Sequence, residues 1–443
     1  MLATNQLRAA MRWLLRADQP APLRTEAELT AVTEQNYRWN FTVNLLDGVN
    51  FWFGASFISS ATVVPLFISQ LTDSQLAIGV AAMIAQGSWF APQLLTANVV
   101  ERLARKKPVV VNLGFFLERV PIWLTAVAAI LAFRSATAAL LLFLVAYAWH
   151  GLGAGVVATA WQDLIARCFP VDRRGRFFGL TMFLGAGSGL LAASLSAWFL
   201  EEFPFPVNFV YSFSLAALFI TISWVFLALT REPVQPSSIP RQSTGEYIQA
   251  LPVIVRQDDN FRRFLVGRLL FALGGMGTGF VTVTAVQRFQ VSNSTVGLYT
   301  LAMLAGQTAG NLLFGLLADR RGHKLSLELS ALAGMAAFLI AWLAPEPAWI
   351  FAAFVLMGIS TGGVIVSGIL LVMEFCLPEK RPTYVGLTNT AVGVISLLAP
   401  LVGAGLATAN AGWLFALSAF FYALSFAALH WWVREPRFVE AVS

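Results

Sequence analysis

The sequence has few charged residues for its length. Asp, Glu, Lys and Arg make up 12% of the 443 residues, about half the share found in soluble domains. It also has only three His and two Cys residues. Their scattered positions exclude a His/Cys metal site, and we expect Cys168 and Cys376 to be free thiols on the reducing side of a membrane.

Signatures of nucleotide-driven and enzymatic chemistry are also missing. No segment matches the phosphate-binding pattern of Gly, four residues, Gly, Lys and Ser or Thr, so ATP is not the expected energy source. The glycines of Gly185–Gly189 lie in an apolar stretch with no preceding strand, which excludes a dinucleotide-binding loop. The sequence therefore predicts no enzyme, cofactor or metal.

A secretory signal peptide is absent from the first 40 residues, which lack an apolar core of 7–15 residues. The first apolar run must then direct membrane insertion itself. The tail has basic residues on one helical face and apolar residues on the other, which suits either an interfacial helix or a loosely ordered segment; these residues are Arg8, Arg12 and Arg16, facing Leu7, Met11, Leu14 and Leu15.

Long apolar runs make up most of the chain. Hydrophobic residues contribute 58%, the mean hydropathy is +0.71, and a membrane-spanning helix needs about 20 apolar residues. These values predict an all-α membrane protein with twelve spans, estimated at 41–68, 75–99, 108–133, 138–166, 176–200, 207–230, 263–289, 294–317, 325–344, 348–376, 384–408 and 412–433.

The basic residues predict the orientation of these spans. All but three of the 29 Lys and Arg residues fall in alternate loops and the termini if the N-terminus is inside; the exceptions are Arg119, Arg134 and Arg288. Because basic residues concentrate in cytoplasmic loops, we expect both termini in the cytoplasm. The net charge of +6 then reflects membrane topology and lipid attraction and does not indicate a nucleic-acid partner.

The chain divides into two related halves. Residues 151, 155, 179–181 and 191–192 recur 207 positions later as Gly358, Gly362, 386–388 and 398–399. We therefore predict a tail (1–40), a first six-helix bundle (41–230), a linker (231–262), a second six-helix bundle (263–433) and a short tail (434–443). The linker is either solvated or lies as a helix on the inner face.

Residues Gly315–Lys324 form a charged segment bounded by glycines between two apolar runs. The sequence Gly-Leu-Leu-Ala-Asp-Arg-Arg-Gly-His-Lys resembles the loop signature of the major facilitator superfamily of secondary transporters. A degraded copy lies at 97–106. The resemblance implies twelve helices in two pseudo-symmetric bundles around a central cavity. Helices 1, 4, 7 and 10 of the fold line that cavity, whereas helices 3, 6, 9 and 12 are peripheral.

Ionisable groups within a membrane cost roughly 2.5–3.5 kcal/mol each on insertion scales and commonly have a role. Glu118 and Arg119 lie near the middle of the third span. As sequence neighbours on a helix they should find different partners, as a coupling acid and counter-ion or as a structural clamp. Asp47, with Asn44 and Asn50 on one face, is expected either to line the cavity or to pair with a cytoplasmic base.

The fourth span contains Tyr147 and His150 before a Gly-x-Gly-Ala segment. This pattern resembles the superfamily's fourth-helix motif, with Tyr147 at the position of its arginine, so drug/proton antiport is in doubt. His150 could titrate instead or serve only as a hydrogen-bonding group. Further polar or aromatic candidates could bind substrate or join helices: Trp52, Gln86, Gln93, Trp161, Gln162, Arg268, Gln307 and Asn311.

The cytoplasmic turns are candidates for gating. By resemblance, Asp319 should cap a helix start or pair with a base in the C-terminal half, and Glu101 should do so in the N-terminal half. Breaking such contacts would switch between two packings. The gating set is Glu101, Arg102, Gly315, Asp319, Arg320 and Gly322.

These features predict a secondary active transporter in the cytoplasmic membrane, working by alternating access. A sparsely charged cavity favours a neutral or moderately hydrophobic small molecule, with proton-coupled export as the expected direction. Its partners would be this solute, protons and membrane lipid, and we expect a monomer. A non-transporting sensor or assembly partner with the same fold, and a lipid flippase, stay as alternatives.

Overall fold

The computed structural model describes residues 6, 11–16, 19–93, 96, 100, 103–235, 245, 255–368, 370–376 and 381–436. We number its main helical elements α1–α12, with α1 and α10 each in two segments. They are α1 (Glu26–Ser56 and Val63–Leu71), α2 (Gln75–Gly87), α3 (Val109–Leu131), α4 (Ala136–Cys168), α5 (Val171–Glu202), α6 (Val207–Ala228), α7 (Asp259–Phe289), α8 (Asn293–Arg321), α9 (His323–Leu343), α10 (Ala348–Ser367 and Leu370–Glu374), α11 (Arg381–Ala409) and α12 (Ala411–Trp432).

The prediction of a multi-pass helical membrane protein is confirmed. Ten helices, α3–α12, are long and apolar enough to cross a membrane. The first two predicted spans differ from the continuous helices expected. A turn at 57–62 interrupts α1, and the described apolar part of α2 covers Gln75–Ala85. That these two also cross the membrane stays a prediction.

The two ends of the helices differ in charge. We call the end at which α4, α6 and α8 finish the basic end, because Arg167, Arg231, Arg320 and Arg321 lie there, and we call the opposite end the far end. At the far end, Ser74, Ser135, Ser292 and Asn410 accept hydrogen bonds from backbone N–H groups that begin α2, α4, α8 and α12. Such caps satisfy donors that have no partner within the helix.

Helix contacts repeat between the N-terminal half of the chain (19–235) and the C-terminal half (255–436). In the first half α1 contacts α5 and α6, and α3 contacts α4 and α6. In the second half α7 contacts α11 and α12, and α9 contacts α10 and α12. Adding six to each number converts one set into the other. The two halves contact each other through α2 with α11 and through α5 with α8. A shift of six in the helix numbers converts one of these contacts into the other.

The glycines that suggested the repeat have equivalent environments. A Cβ atom added at Gly151 or Gly155 of α4 would collide with Ser88 or Trp89, the residues that follow α2. A Cβ added at Gly358 or Gly362 of α10 would collide with the backbone of α8. Small residues therefore allow close helix approach at the same place in each half.

The charged segment at 315–324 is not a turn along its whole length. Helix α8 continues to Arg321 and α9 begins at His323, so Gly322 alone separates them. Gly322 has φ of +92°, which favours glycine, whereas Gly315 lies inside α8. The prediction of a tight turn bounded by two glycines is thus wrong at Gly315, because the polar residues extend the helix beyond its apolar part.

An asparagine joins the two ends of each half. The Asn40 amide donates to the Arg231 carbonyl at 3.0 Å and accepts from the Arg231 N–H at 2.8 Å. Asn260 makes the same pair of bonds to Arg434, at 3.0 and 2.9 Å. Each Asn therefore fixes the chain leaving the last helix of its half against the first helix.

We expect Asn40→Ala to lower the melting temperature of the purified protein more than Asn260→Ala does. Asn40 is fully buried, so its loss leaves backbone groups unsatisfied at a cost of about 1–3 kcal/mol. Asn260 is half-buried, and water can replace its bonds. Thermal unfolding in detergent measures both, and equal effects would contradict the prediction.

Candidate functional site

A cluster of ionisable side chains lies inside the N-terminal half. Asp47 of α1 is 7% exposed, and its Oδ1 accepts a hydrogen bond from the Ser223 hydroxyl of α6 at 2.5 Å. The charge of Arg119 on α3 interacts with that of Asp47. The Ser223–Asp47 bond is of the charge-assisted kind that is stronger than a neutral hydrogen bond, and the charge of Arg119 acts on it from a third helix.

Glu118 and Arg119 form an ion pair with each other. Both are buried, at the end of a π-helical turn covering Phe115–Arg119. The expectation that these neighbours have separate partners is wrong for Glu118, because a π-helical turn holds more residues and brings adjacent side chains to a smaller angle. Such turns frequently occur at functional sites.

His150 of α4 joins the same cluster. Its Nδ1–H donates to the Glu118 carbonyl at 2.9 Å, which leaves Nε2 as the acceptor in the neutral ring. The positive charge of Arg119 also acts on His150. The structure therefore brings together four residues that the sequence singled out separately: Asp47, Glu118, Arg119 and His150.

The polar face of α1 differs from the expected one. Asn44 accepts a hydrogen bond from Thr230, just after α6, at 3.3 Å. Asp47 accepts one from Ser223 of α6. Both side chains therefore face α6 and the residues that follow it. Asn50 donates to Leu46 of its own helix at 2.8 Å. Asn50 and Asp47 therefore have different hydrogen-bond partners, because Asp47 accepts its hydrogen bond from the Ser223 hydroxyl of α6.

Other candidates make local or packing contacts. Gln93 donates to the Trp89 carbonyl at 2.8 Å. Tyr147 stacks on Phe143 with centroids 5.4 Å apart. Trp52 lies against Gly185 of α5, and Trp161 packs at the edge of the apolar cluster near the basic end. The side chain of Gln86 lies outside the described part of the structure.

Gln307 and Asn311 lie at the contact between α8 and α10. A Cβ added at Gly362 would be 2.7 Å from the Gln307 carbonyl and 3.1 Å from Asn311 Oδ1. That oxygen is buried without a hydrogen-bond partner among the described residues. The backbone of Gln307 and the side chain of Asn311 thus lie against Gly362 of α10, and a substrate-binding role for the two residues stays a prediction.

The structure describes only some of the residues in the predicted gating set. Glu101 and Arg102, and the side chain of Asp319, lie outside the described part. Arg320 is exposed, and Gly315 has open space beside it.

Two glutamates that the sequence reasoning missed contact the helix starts at the basic end. The Glu232 carboxylate accepts from the N–H groups of Lys106 and Lys107 at 2.7 and 3.1 Å, and the Glu435 carboxylate accepts from the Lys324 N–H at 3.1 Å. A carboxylate at a helix start satisfies unpaired donors and complements the helix dipole. The signal was present in the repeated Arg-Glu-Pro at 231–233 and 434–436.

Ion pairs reinforce the first of these caps. Lys106 is fully buried, with its Nζ 3.0 Å from Asp163 Oδ2, and Arg167 lies 3.2 Å from the same atom and 3.7 Å from Glu232. Burial lowers the pKa of the Lys106 ammonium, and the charge of Asp163 partly offsets that lowering. The start of α3 and the end of α4 are thereby fixed to Glu232, the second residue of the linker.

Side-chain hydrogen bonds between the two halves lie at the far end. Among the described residues they join Thr62 with Thr300, Thr282 with the Ala61 carbonyl at 2.7 Å, and Gln70 with Asn293 at 3.0 Å. Thr62 and Thr300 are buried. These contacts join α1 to α7 and α8 across the far end of the interface between the halves.

We expect Arg119→Met to destabilise the protein strongly, because it leaves Glu118 and Asp47 without a counter-charge. Removing one member of a buried ion pair typically costs about 3–5 kcal/mol. Thermal unfolding of Glu118→Gln, Arg119→Met and the double variant measures the coupling, and the double variant should lose clearly less than the sum of the single losses.

Arg134→Met serves as the control, because Arg134 is an exposed cation at the far end of α3. It should change the melting temperature little. Additive losses in the Glu118 and Arg119 variants would show that the ion pair contributes nothing in solution.

Comparisons with known proteins agree with this architecture. A sequence comparison with curated proteins finds no significant match. Residues 264–442 match the family described as Major Facilitator Superfamily. Solved structures with a similar fold include a POT family transporter in complex with 5-aminolevulinic acid, a D-xylose-proton symporter, and the xylose transporter XylE from E. coli in a partially occluded inward open conformation.

Sequence identity to these three structures is 11%, 15% and 16%, with TM-scores of 0.64, 0.62 and 0.63. The alignments cover 88%, 90% and 91% of this chain and 94%, 99% and 99% of the other chains. Similarity at this identity establishes the fold over nearly the whole chain. Residues 264–442 thus match the major facilitator superfamily, and the chain as a whole has the fold of these solved transporters.

Proposed function

We propose that this protein moves a small molecule across the cytoplasmic membrane by alternating access and couples that movement to protons. The observation that carries the proposal is the convergence of Asp47, Glu118, Arg119 and His150 in the apolar interior. Two acids share one arginine there, beside a histidine. Uptake of one proton by this group would neutralise the excess negative charge of two acids beside one arginine, as a coupling site requires.

Support for alternating access comes from the unequal ends of the interface between halves. At the far end, buried hydroxyls and amides connect α1 with α7 and α8. At the basic end, the described polar contacts lie within each half: Glu232 and Lys106 in the first, Glu435 and Lys324 in the second. This arrangement suits a protein whose gap opens towards the cytoplasm, with both termini on that side.

We also propose two six-helix bundles, 41–230 and 263–433, as the moving bodies, joined by the 231–262 linker. The contact pattern that repeats after six helices supports this division. The acidic caps at Glu232 and Glu435 would hold the basic end of each bundle together during the movement. A non-transporting sensor and a lipid flippase are the alternative functions, and the flux experiment separates them.

The first test is substrate flux under a pH gradient. Solutes that raise the melting temperature at two pH values would be offered to proteoliposomes in each direction. We expect flux to follow the proton gradient, and Asp47→Asn and His150→Gln to reduce gradient-driven flux by at least tenfold.

Asp73→Asn is the matched control, because it removes an exposed acid from the far-end loop and should keep full flux. Flux that ignores the gradient would leave a facilitator. Binding without flux would favour the sensor, and movement of labelled lipid alone would favour the flippase. The direction of gradient-driven accumulation also decides between export and import.

The second test is a cross-link across the far end. In a background with Cys168→Ser and Cys376→Ser, we expect a disulfide between Thr62→Cys and Thr300→Cys to stop flux, because opening that end requires these residues to separate. Reduction should restore flux, and each single cysteine variant should stay active. Full flux through the cross-linked protein would contradict alternating access.

A further inference from the structure

Arg268 is a cation in the interior of the C-terminal half. It lies on α7, about 14 Å along the helix from Asp259 at 1.5 Å per residue, and within the apolar segment that spans the membrane. Its residue is half-buried. An interior arginine is costly and normally has an acid or a carbonyl as partner.

The surroundings of Arg268 contain no such partner among the described residues. Its Nε is buried and has no hydrogen-bond partner. The guanidinium carbon lies 5.8 Å from the centre of the Phe271 ring, and the electrostatic neighbour of Arg268 is Tyr422 of α12. Arg119 in the other half also has an unpartnered Nε, but it differs from Arg268 in forming an ion pair with Glu118 and in having the charge of Asp47 nearby. A buried polar atom without a partner calls for an explanation.

The position of Arg268 gives it access to the interface between α7 and α10. A Cβ added at Gly368 of α10 would be 3.2 Å from Arg268 Nη2, so the glycine leaves room for the end of the guanidinium. The resemblance to the major facilitator superfamily implies that the seventh and tenth helices border a central cavity. A cation at that place is available to a solute that enters from the basic end.

We propose that Arg268 binds the carboxylate of a small organic anion, which is the transported solute; this inference rests on the proposed transport function. A planar guanidinium matches a carboxylate with two parallel hydrogen bonds. Phe271 would contact the apolar part of the solute. The anion would supply the negative charge that Arg268 lacks in the described structure. The solute class is then acidic, unlike the neutral solute expected from the amide and aromatic candidates.

Equilibrium binding tests this assignment independently of transport. The probes are three acids with their uncharged amides: benzoate and benzamide, hexanoate and hexanamide, succinate and succinamide. Thermal stabilisation of the purified full chain in detergent gives an apparent affinity for each. We expect at least one acid to bind tenfold or more tightly than its amide. Arg268→Gln should abolish this preference, and Arg268→Lys should keep part of it.

Arg288→Gln is the matched control, because Arg288 is an exposed arginine on the same helix, beside Phe289. It removes the same charge and should leave the preference for the acid unchanged. Equal binding of every acid and its amide by the wild type would overturn the proposal, as would an unchanged preference in Arg268→Gln. Retained acid binding without flux would instead reject the transport function alone.

A measurement without ligand guards against a merely structural role. Arg268→Met keeps an unbranched apolar stem and removes a charge that has no acid partner among the described residues, so we expect the melting temperature of the ligand-free protein to rise or stay unchanged. Arg119→Met, which breaks a compensated group, should lower it. A large loss of stability in Arg268→Met would show that Arg268 holds helices together and would also overturn the proposal.

Discussion

Charge compensation in apolar surroundings determines how the N-terminal half is built. Arg119 carries a charge that lipid cannot solvate, so α3 must place it beside acids. Glu118 reaches it through the π-helical turn, and Asp47 approaches from α1. Ser223 then satisfies Asp47, and His150 satisfies the Glu118 carbonyl. The packing of α1, α3, α4 and α6 thus brings acids to the buried charge of Arg119, although its Nε and Nη1 atoms have no hydrogen-bond partner among the described residues.

The C-terminal half repeats the architecture without repeating this charge balance. Its helices contact each other in the same order, and Asn260 fixes Arg434 as Asn40 fixes Arg231. Its interior cation, however, has an aromatic neighbour and no acid among the described residues. The two halves therefore share helix packing and differ in interior charge, which is the difference on which the two proposals, a proton site in one half and a solute site in the other, depend.

Apolar runs allowed the helices to be predicted closely, as at 207–230 against Val207–Ala228, because burial in lipid requires a continuous apolar stretch. The break at 57–62 escaped prediction because it is marked only by the small hydroxyl residues Ser59, Ser60 and Thr62, and no charged residue interrupts the run there. The Glu118 contact with Arg119 escaped it because regular helical spacing was assumed. The contact of Glu435 with Lys324 could not be predicted from the 315–324 signature, because the two residues are distant in sequence. They become neighbours only after α9 and α12 pack.

The far end of the interface depends on uncharged groups. Hydroxyls of Thr62, Thr282 and Thr300 and the amide of Gln70 make its polar contacts, whereas the basic end contains ion pairs such as Lys106 with Asp163. Salt screens exposed charges and leaves neutral hydrogen bonds largely unaffected. The contacts that join the halves at the far end should therefore respond little to the ionic strength of the medium, so that the strength of this junction depends on packing and not on the surrounding electrolyte.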